Sequence, residues 1–156
     1  MIKDLIPTCN IMGVNLAAID MSWLIEFTKR YIKELSGNYM CVSNVHTTVM
    51  SFDDEEYCAV QNGGIMAIPD GGPLSSVGRK RGFSGMKRTT GPDYMKEMLK
   101  ISNEEGYRHF FYGSTEETLK KLQRTLKHSY PNVQVAGMFS PPFRTLSAQE
   151  DEEIVH

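Results

Sequence analysis

The sequence predicts an α/β fold in which a mainly parallel sheet is flanked by helices, and three observations predict it. Apolar runs of strand length, YMCVS, IMAIP and HFFY, recur along the chain, separated by segments whose apolar residues fall at helical spacing. Residues that start and stop helices bound those segments. Near the end, HFFY, a helical stretch and VQVAG have the lengths of one strand, helix, strand unit, which favours parallel pairing.

Taken in order, Asp20 precedes Trp23, Leu24, Phe27, Tyr31 and Leu35 on one helical stripe, with Asp20 as N-cap and Gly37 as the stop. Tyr39 to Ser43 is the first strand. NVHTTVMSFDDEEYCAVQNGG then reads as a broken helical segment closed by Gly63 and Gly64, and Ile65 to Pro69 is the next strand. Pro73 suits the first turn of a short helix through LSSVGRKR, because a proline there sacrifices no helical hydrogen bond. A further helix opens at Gly91-Pro92-Asp93, runs through Met95, Met98 and Leu99, and ends near Gly106. His109 to Tyr112 reads as a buried strand. Ser114-Thr115-Glu116-Glu117 is a capping-box pattern ahead of Leu119, Leu122 and Leu126, and Pro131 ends that helix before VQVAG. Ser147-Ala148-Gln149-Glu150 repeats the pattern with six residues to follow.

Composition narrows the function classes. A chain of this length buries about 68–70% of its unfolded surface, enough for a real core. With 156 residues, 40% hydrophobic and 23% charged, and a formal charge of −2, it has the balance of a soluble globular domain and no global attraction to nucleic acid. Cys9, Cys41 and Cys58 lie in or beside apolar runs and are odd in number, which reads as reduced thiols in a cytoplasmic protein. The first residues lack a signal-peptide core, and Asn15 and Asp20 interrupt the one long apolar region well short of a membrane span. Contact with a membrane is therefore expected to be peripheral.

Three strands end in polar or flexible groups: Ser43-Asn44-Val45-His46, Asp70-Gly71-Gly72 and Gly113-Ser114. In one parallel sheet those ends share an edge, where such folds bind ligands. Gly71 and Gly72 allow a ligand close to the backbone, and the helix that Pro73 opens offers unpaired N–H groups to an oxyanion. Asp70 beside them is ionised at neutral pH and suits a base for a sugar hydroxyl. Five basic residues gather between Arg79 and Arg88. Arg88 is the expected phosphate ligand because a guanidinium engages two oxygens at once, while Arg79, Lys80 and Arg81 suit acidic lipid head groups or a pyrophosphate. His46 is a second acid or base candidate. His109 is expected to be packed, and His128 and His156 exposed; no pair has metal-ligand spacing, so no metal is expected. YGSTEE lacks two glycines of G-x-G-x-x-G, which disfavours a nicotinamide or flavin oxidoreductase.

IMGVNL, CVSNVHTTV, IMAIPDGGPL, RTTGPDYM and HFFYGSTEETLKKLQRTLKHSYPNVQVAG together resemble, in order, the WecG/TagA/CpsF bacterial glycosyltransferases. PDGGP, followed eighteen residues after its aspartate by the arginine of RTTGPD, is the strongest signature. The resemblance implies a Rossmann-like domain that transfers N-acetylmannosamine or a relative, with inversion, from a UDP-sugar donor to a polyprenyl-pyrophosphate-linked acceptor for teichoic acid or another surface polysaccharide. It implies Asp70, Asn44 and Arg88 as the catalytic set, with His46, Gly71, Gly72, Gly91, Asp93, Gly113 and Ser114 binding substrate. It also implies work at an anionic membrane surface, on the inner face of the plasma membrane, with no cofactor and with a homo-oligomer as one compatible state. Members often carry threonine near the positions of Val42 and Ser43, and this chain does not. Members also continue into a further strand, a Pro-x-Gln-Glu motif and a C-terminal appendage, so residues 1–156 read as one glycosyltransferase domain cut before those parts. The rival expectation is a non-catalytic nucleotide-binding module or inactive truncated homologue.

Overall fold

The computed structural model describes residues 2–155. The chain divides into two compact units, Met1–Met98 and Leu99–His156.

The first unit is built on a four-stranded sheet. After a 3-10 turn, Ile2–Leu5, β1 (Thr8–Ile11) and β2 (Val14–Ala17) form an antiparallel hairpin that pairs Cys9 with Leu16 and Ile11 with Val14. This hairpin is absent from the sequence reading above. Its signal is the alternation of Cys9, Ile11, Val14 and Leu16 about Met12 and Gly13, both at positive φ. α1 (Met21–Tyr31) follows, with Asp20 Oδ1 accepting the Trp23 N–H at 3.0 Å as the N-cap. Residues 32–37 continue as turns rather than helix. The hydrogen bonds there shorten their span, from Leu35 N–H to Tyr31 O to Ser36 N–H to Lys33 O, so the ladder lapses before Gly37.

β3 (Met40–Ser43) leads into α2 (Val45–Asp53) and α3 (Glu55–Gly63), and the break is Asp54, whose carboxylate accepts the Tyr57 N–H and caps α3. β4 (Met66–Pro69) and α4 (Gly72–Lys80) complete the alternation, and α5 (Gly91–Glu105) begins after an irregular stretch. The sheet order is β1-β2-β4-β3, with β2, β4 and β3 parallel. β4 is central and buried at all four residues, as a strand covered on both faces must be. Met66 and Ile68 pack with Leu24 and Phe27 in one apolar cluster, while Ala67 packs with Leu74 and Met86 in another.

The second unit is the strand, helix, strand unit the sequence predicts: β5 (Arg108–Tyr112), α6 (Glu116–Ser129) and β6 (Gln134–Phe139), with the two strands parallel. Three expectations need correction. The three strands do not share one hydrogen-bonded sheet, because β5 pairs with β6 in a sheet of its own. The expected burial of HFFY is also wrong: Phe110 is 61% exposed and Tyr112 58%, because only the alternate face of this two-stranded sheet is covered. The cap of α6 is Thr115, whose hydroxyl accepts the Thr118 N–H, and not Ser114, which turns the chain at φ 63.

His109 is half-buried, hydrogen-bonded to Ser102 at 2.6 Å, with its pKa pushed down by burial. His128 is exposed, and His156 lies outside the described residues. α7 (Ala148–Val155) starts with the expected box: Ser147 Oγ accepts the Glu150 N–H, and Glu150 accepts the Ser147 N–H. Arg144 grips the same carboxylate and, with those bonds, holds it down at about 2. No helix among the described residues is long and apolar enough to cross a membrane.

Two stability outcomes follow from these contacts. Asp20→Ala removes a cap and the partner of Lys87, which lies 3.0 Å away, and should lower unfolding free energy by about 1 kcal/mol in a urea titration. The Trp23 N–H and Lys87 depress the Asp20 carboxyl below 3.8, so its contribution is present above that pH. The gap between the two proteins should therefore close as pH falls through and below that value. Gly78 sits inside α4, where an added Cβ would lie 2.1 Å from the sulfur of the fully buried Met86. Gly78→Ala should thus destabilise by about 1–3 kcal/mol despite alanine's better helix propensity, read as a lower urea midpoint.

Candidate active site

The ladder between β3 and β4 pairs Ser43 with Pro69, so Asn44 and Asp70 are the next residues across adjacent strand ends. The Asp70 N–H donates to Ser43 O at 2.8 Å, holding those ends together past the last pair. Each end opens directly into a helix. Asn44 caps α2: its side-chain oxygen accepts the Thr47 N–H at 3.0 Å, and its own N–H donates to Thr47 Oγ1. Gly71 stands at the cap position of α4 with no side chain to accept from the first turn, and Pro73 follows. The Gly72 and Leu74 N–H groups are therefore helix-start donors that no cap side chain satisfies. A Cβ at Gly71 would lie 3.6 Å from a Val45 methyl, which puts the starts of α2 and α4 side by side. Gly72 faces open space.

A third helix start joins them. The irregular stretch after α4 runs across the strand ends: the Lys87 N–H donates to Ile19 O at 3.0 Å and the Thr89 N–H to Pro69 O at 2.8 Å. Met86 and Thr89 are fully buried, so Arg88, between the anchored positions, points outward. Its guanidinium lies 3.6 Å from Asp70 Oδ1, and the Gly91 N–H at the head of α5 approaches Oδ2 at 3.5 Å. The Asp70 side chain is 21% exposed and that of Arg88 60%. Gly91 is needed for close approach, since a Cβ there would meet both Val42 methyls at 3.3 Å.

The other basic residues are directed elsewhere. Arg79 donates to Met86 O at 3.0 Å, Arg81 donates to Asn10 O, and Lys87 pairs with Asp20. Lys80 is exposed.

Of the residues singled out in the sequence, Asp70, Asn44, Arg88, Gly71, Gly72 and Gly91 thus come together at one edge of the first unit. Asp93 is engaged with Thr90, donating its N–H to Thr90 Oγ1 at 3.1 Å and accepting from that hydroxyl at 2.5 Å. His46 is exposed in the first turn of α2. Gly113 and Ser114 end β5 in the second unit. Sequence reasoning missed Thr89 and Thr90. Thr89 is invisible because its role is a backbone bond, but Thr90 and Asp93 have the spacing of the boxes at Ser114 and Ser147.

Chemically, the arrangement sets an ionisable carboxylate beside a cation, with three helix starts around it. Helix N-termini carry partial positive charge and free donors, so the edge suits an anionic ligand with a hydroxyl near Asp70. Among the described residues, no group of three or more His, Cys, Asp or Glu side chains is placed to hold a metal ion.

Comparison with known proteins bears on the same residues. The sequence profile described as the glycosyl transferase WecG/TagA/CpsF family matches residues 9–156. Over 116 residues the chain is 26% identical to the N-acetylglucosaminyldiphosphoundecaprenol N-acetyl-beta-D-mannosaminyltransferase of Bacillus subtilis (strain 168). It is 22% identical over 116 residues to the protein of the same name from Bacillus spizizenii (strain ATCC 23059 / NRRL B-14472 / W23). Each match covers 74% of this chain and 45% of the relative, so the chain spans about half the length of the curated relatives it matches.

Proposed function

This chain belongs to the glycosyl transferase WecG/TagA/CpsF family, and from that premise we propose that it carries the catalytic edge of an inverting glycosyltransferase. The proposed reaction moves N-acetylmannosamine from a UDP donor to the sugar of an N-acetylglucosaminyl-diphosphoundecaprenol acceptor. The names of the two relatives supply the sugar and the acceptor; the UDP donor and the stereochemistry rest on the family resemblance. The observation that carries the reading is the Asp70 carboxylate, held between the Arg88 guanidinium and the Gly91 N–H where three helices begin.

In this reaction Asp70 takes the proton of the acceptor hydroxyl while that oxygen forms a bond to the anomeric carbon. The bond from that carbon to the UDP oxygen breaks, its electron pair leaves with the diphosphate, and the configuration inverts because attack and departure occur on opposite faces. Charge grows on the leaving diphosphate, where fixed donors help most. The Gly72 and Leu74 N–H groups and Arg88 are the donors assigned to it, with no metal or cofactor in the scheme. Arg88 is well suited because its exposure leaves it free to turn from Asp70 to a phosphate. Asn44, whose oxygen is committed to Thr47, presents its amide NH2 to substrate. A lipid-linked acceptor implies work at the inner face of the plasma membrane, with the exposed Lys80 toward anionic head groups.

Two substitutions test the roles. Asp70→Asn should lower turnover by about 10²–10⁴-fold, measured as UDP release with a lipid-diphosphate-linked acceptor, with UDP affinity nearly intact. Normal turnover by that variant rejects the base, and UDP binding without any turnover by the unaltered protein favours the binding-module reading. Arg88→Ala should weaken UDP binding by about tenfold or more in calorimetry, as loss of a charge-assisted contact does; unchanged affinity for both phosphate-bearing substrates rejects its role.

A further inference from the structure

Asp70 Oδ2 is approached by one backbone donor, the Gly91 N–H, and its direction is set by the residue before it. In a trans peptide the N–H and the preceding C=O point in opposite directions. The Thr90 carbonyl accepts the Tyr94 N–H at 3.0 Å, so it lies along the axis of α5, and the Gly91 N–H must point out of the helix start toward Asp70. The side chain of Thr90 locks the same turn. Its hydroxyl donates to Asp93 Oδ2 at 2.5 Å and accepts the Asp93 N–H at 3.1 Å, and the residue is 8% exposed. Tyr94 pins the turn from beyond, its hydroxyl 2.8 Å from Thr28 Oγ1 on α1. At 3.5 Å the Gly91 contact is at the long limit of a hydrogen bond, so a small rotation of the Thr90–Gly91 peptide removes it.

We propose that Thr90 is a positioning residue for the Asp70 carboxylate, acting through the Gly91 N–H, with Asp93 as its hydrogen-bond partner rather than a substrate ligand. The proposal rests on Asp70 being the base. It gives RTTGPD a physical meaning as one unit. Arg88 holds one carboxylate oxygen, Gly91 the other, Thr89 ties the segment to Pro69, and Thr90 with Asp93 sets the angle of the helix start.

The test combines kinetics with a readout that needs no turnover. Thr90→Val should lower kcat on the order of tenfold to a hundredfold, as misplacement of a reacting group does, with the donor KM unchanged. Thr90→Ser, which keeps the hydroxyl, should restore most of the loss. Added to Asp70→Asn, Thr90→Val should cause no further loss, because its effect passes through the missing carboxylate. In amide proton and nitrogen spectra, the Gly91 proton should move upfield in Asp70→Asn and in Thr90→Val but not in Thr90→Ser. Should Thr90→Val fail to fold, Asp93→Asn, on the exposed side of the box, is expected to move the same resonance upfield. An unmoved Gly91 resonance, or a kinetic loss that persists undiminished in Asp70→Asn, overturns the proposal. If Asp70→Asn turns over normally while the resonance still follows Thr90, the assignment of the base fails and the positioning by Thr90 stands.

Discussion

The site depends on one backbone constraint, the pair of hydrogen bonds that lock the end of β4 from both sides. The Asp70 N–H is held by Ser43 of β3, and the Pro69 carbonyl is held by the Thr89 N–H of the crossing segment. With the N–H and the C=O of the Pro69–Asp70 peptide both engaged, that peptide plane is fixed where Asp70 leaves the strand, and the carboxylate projects from a held backbone toward Arg88 and the Gly91 N–H. This explains why a lone aspartate stands where a strand has just ended: the turn has no bulky side chains, yet the backbone beneath is as fixed as the sheet. The crossing segment is itself held by burial of Met86 against Gly78 and of Thr89 against the strand ends. Packing in the core thus reaches the carboxylate through two or three residues.

The electrostatic character of the edge follows from topology more than from net charge. A chain of formal charge −2 has no general pull on anions, but parallel strands that each open into a helix aim their N-termini at one side of the sheet. α2 and α4 begin next to each other because Ser43 and Pro69 are paired, and α5 begins there because its leading segment is tied to Pro69. The ion pair between Arg88 and Asp70 is too exposed on the arginine side to add more than a fraction of a kcal/mol to stability. Its consequence is orientation, since it keeps a guanidinium beside the carboxylate without burying either charge.

Much of this was legible in the sequence wherever a local signal and a tertiary role coincide. Asp20 and Ser147 cap the helices that their positions imply, and the apolar runs around Cys41 and Ala67 are the strands expected. Asp70, Gly71 and Gly72 stand at a strand end, as their composition suggested. The hairpin of β1 and β2 was passed over because four-residue strands alternating apolar and polar residues carry little signal on their own. HFFY misled in the other direction: a continuous apolar run reads as buried on both faces, yet burial is decided by what covers each face of the sheet, and here one is left open.

By itself, then, the sequence determined the alternation of elements, the caps, the helix starts and the identity of the chemical groups, because each rests on contacts within a few residues. Tertiary structure decided which strands share a sheet and which oxygen of Asp70 meets which donor. Strand order and register join residues far apart in the chain, such as Asp70 with Arg88 and Gly91, and no local pattern encodes the distance between them. That is why the aspartate and the arginine could be named from the chemistry of their side chains and their local surroundings, while the threonine proposed to set the helix start emerged only once that start was seen against the strand end.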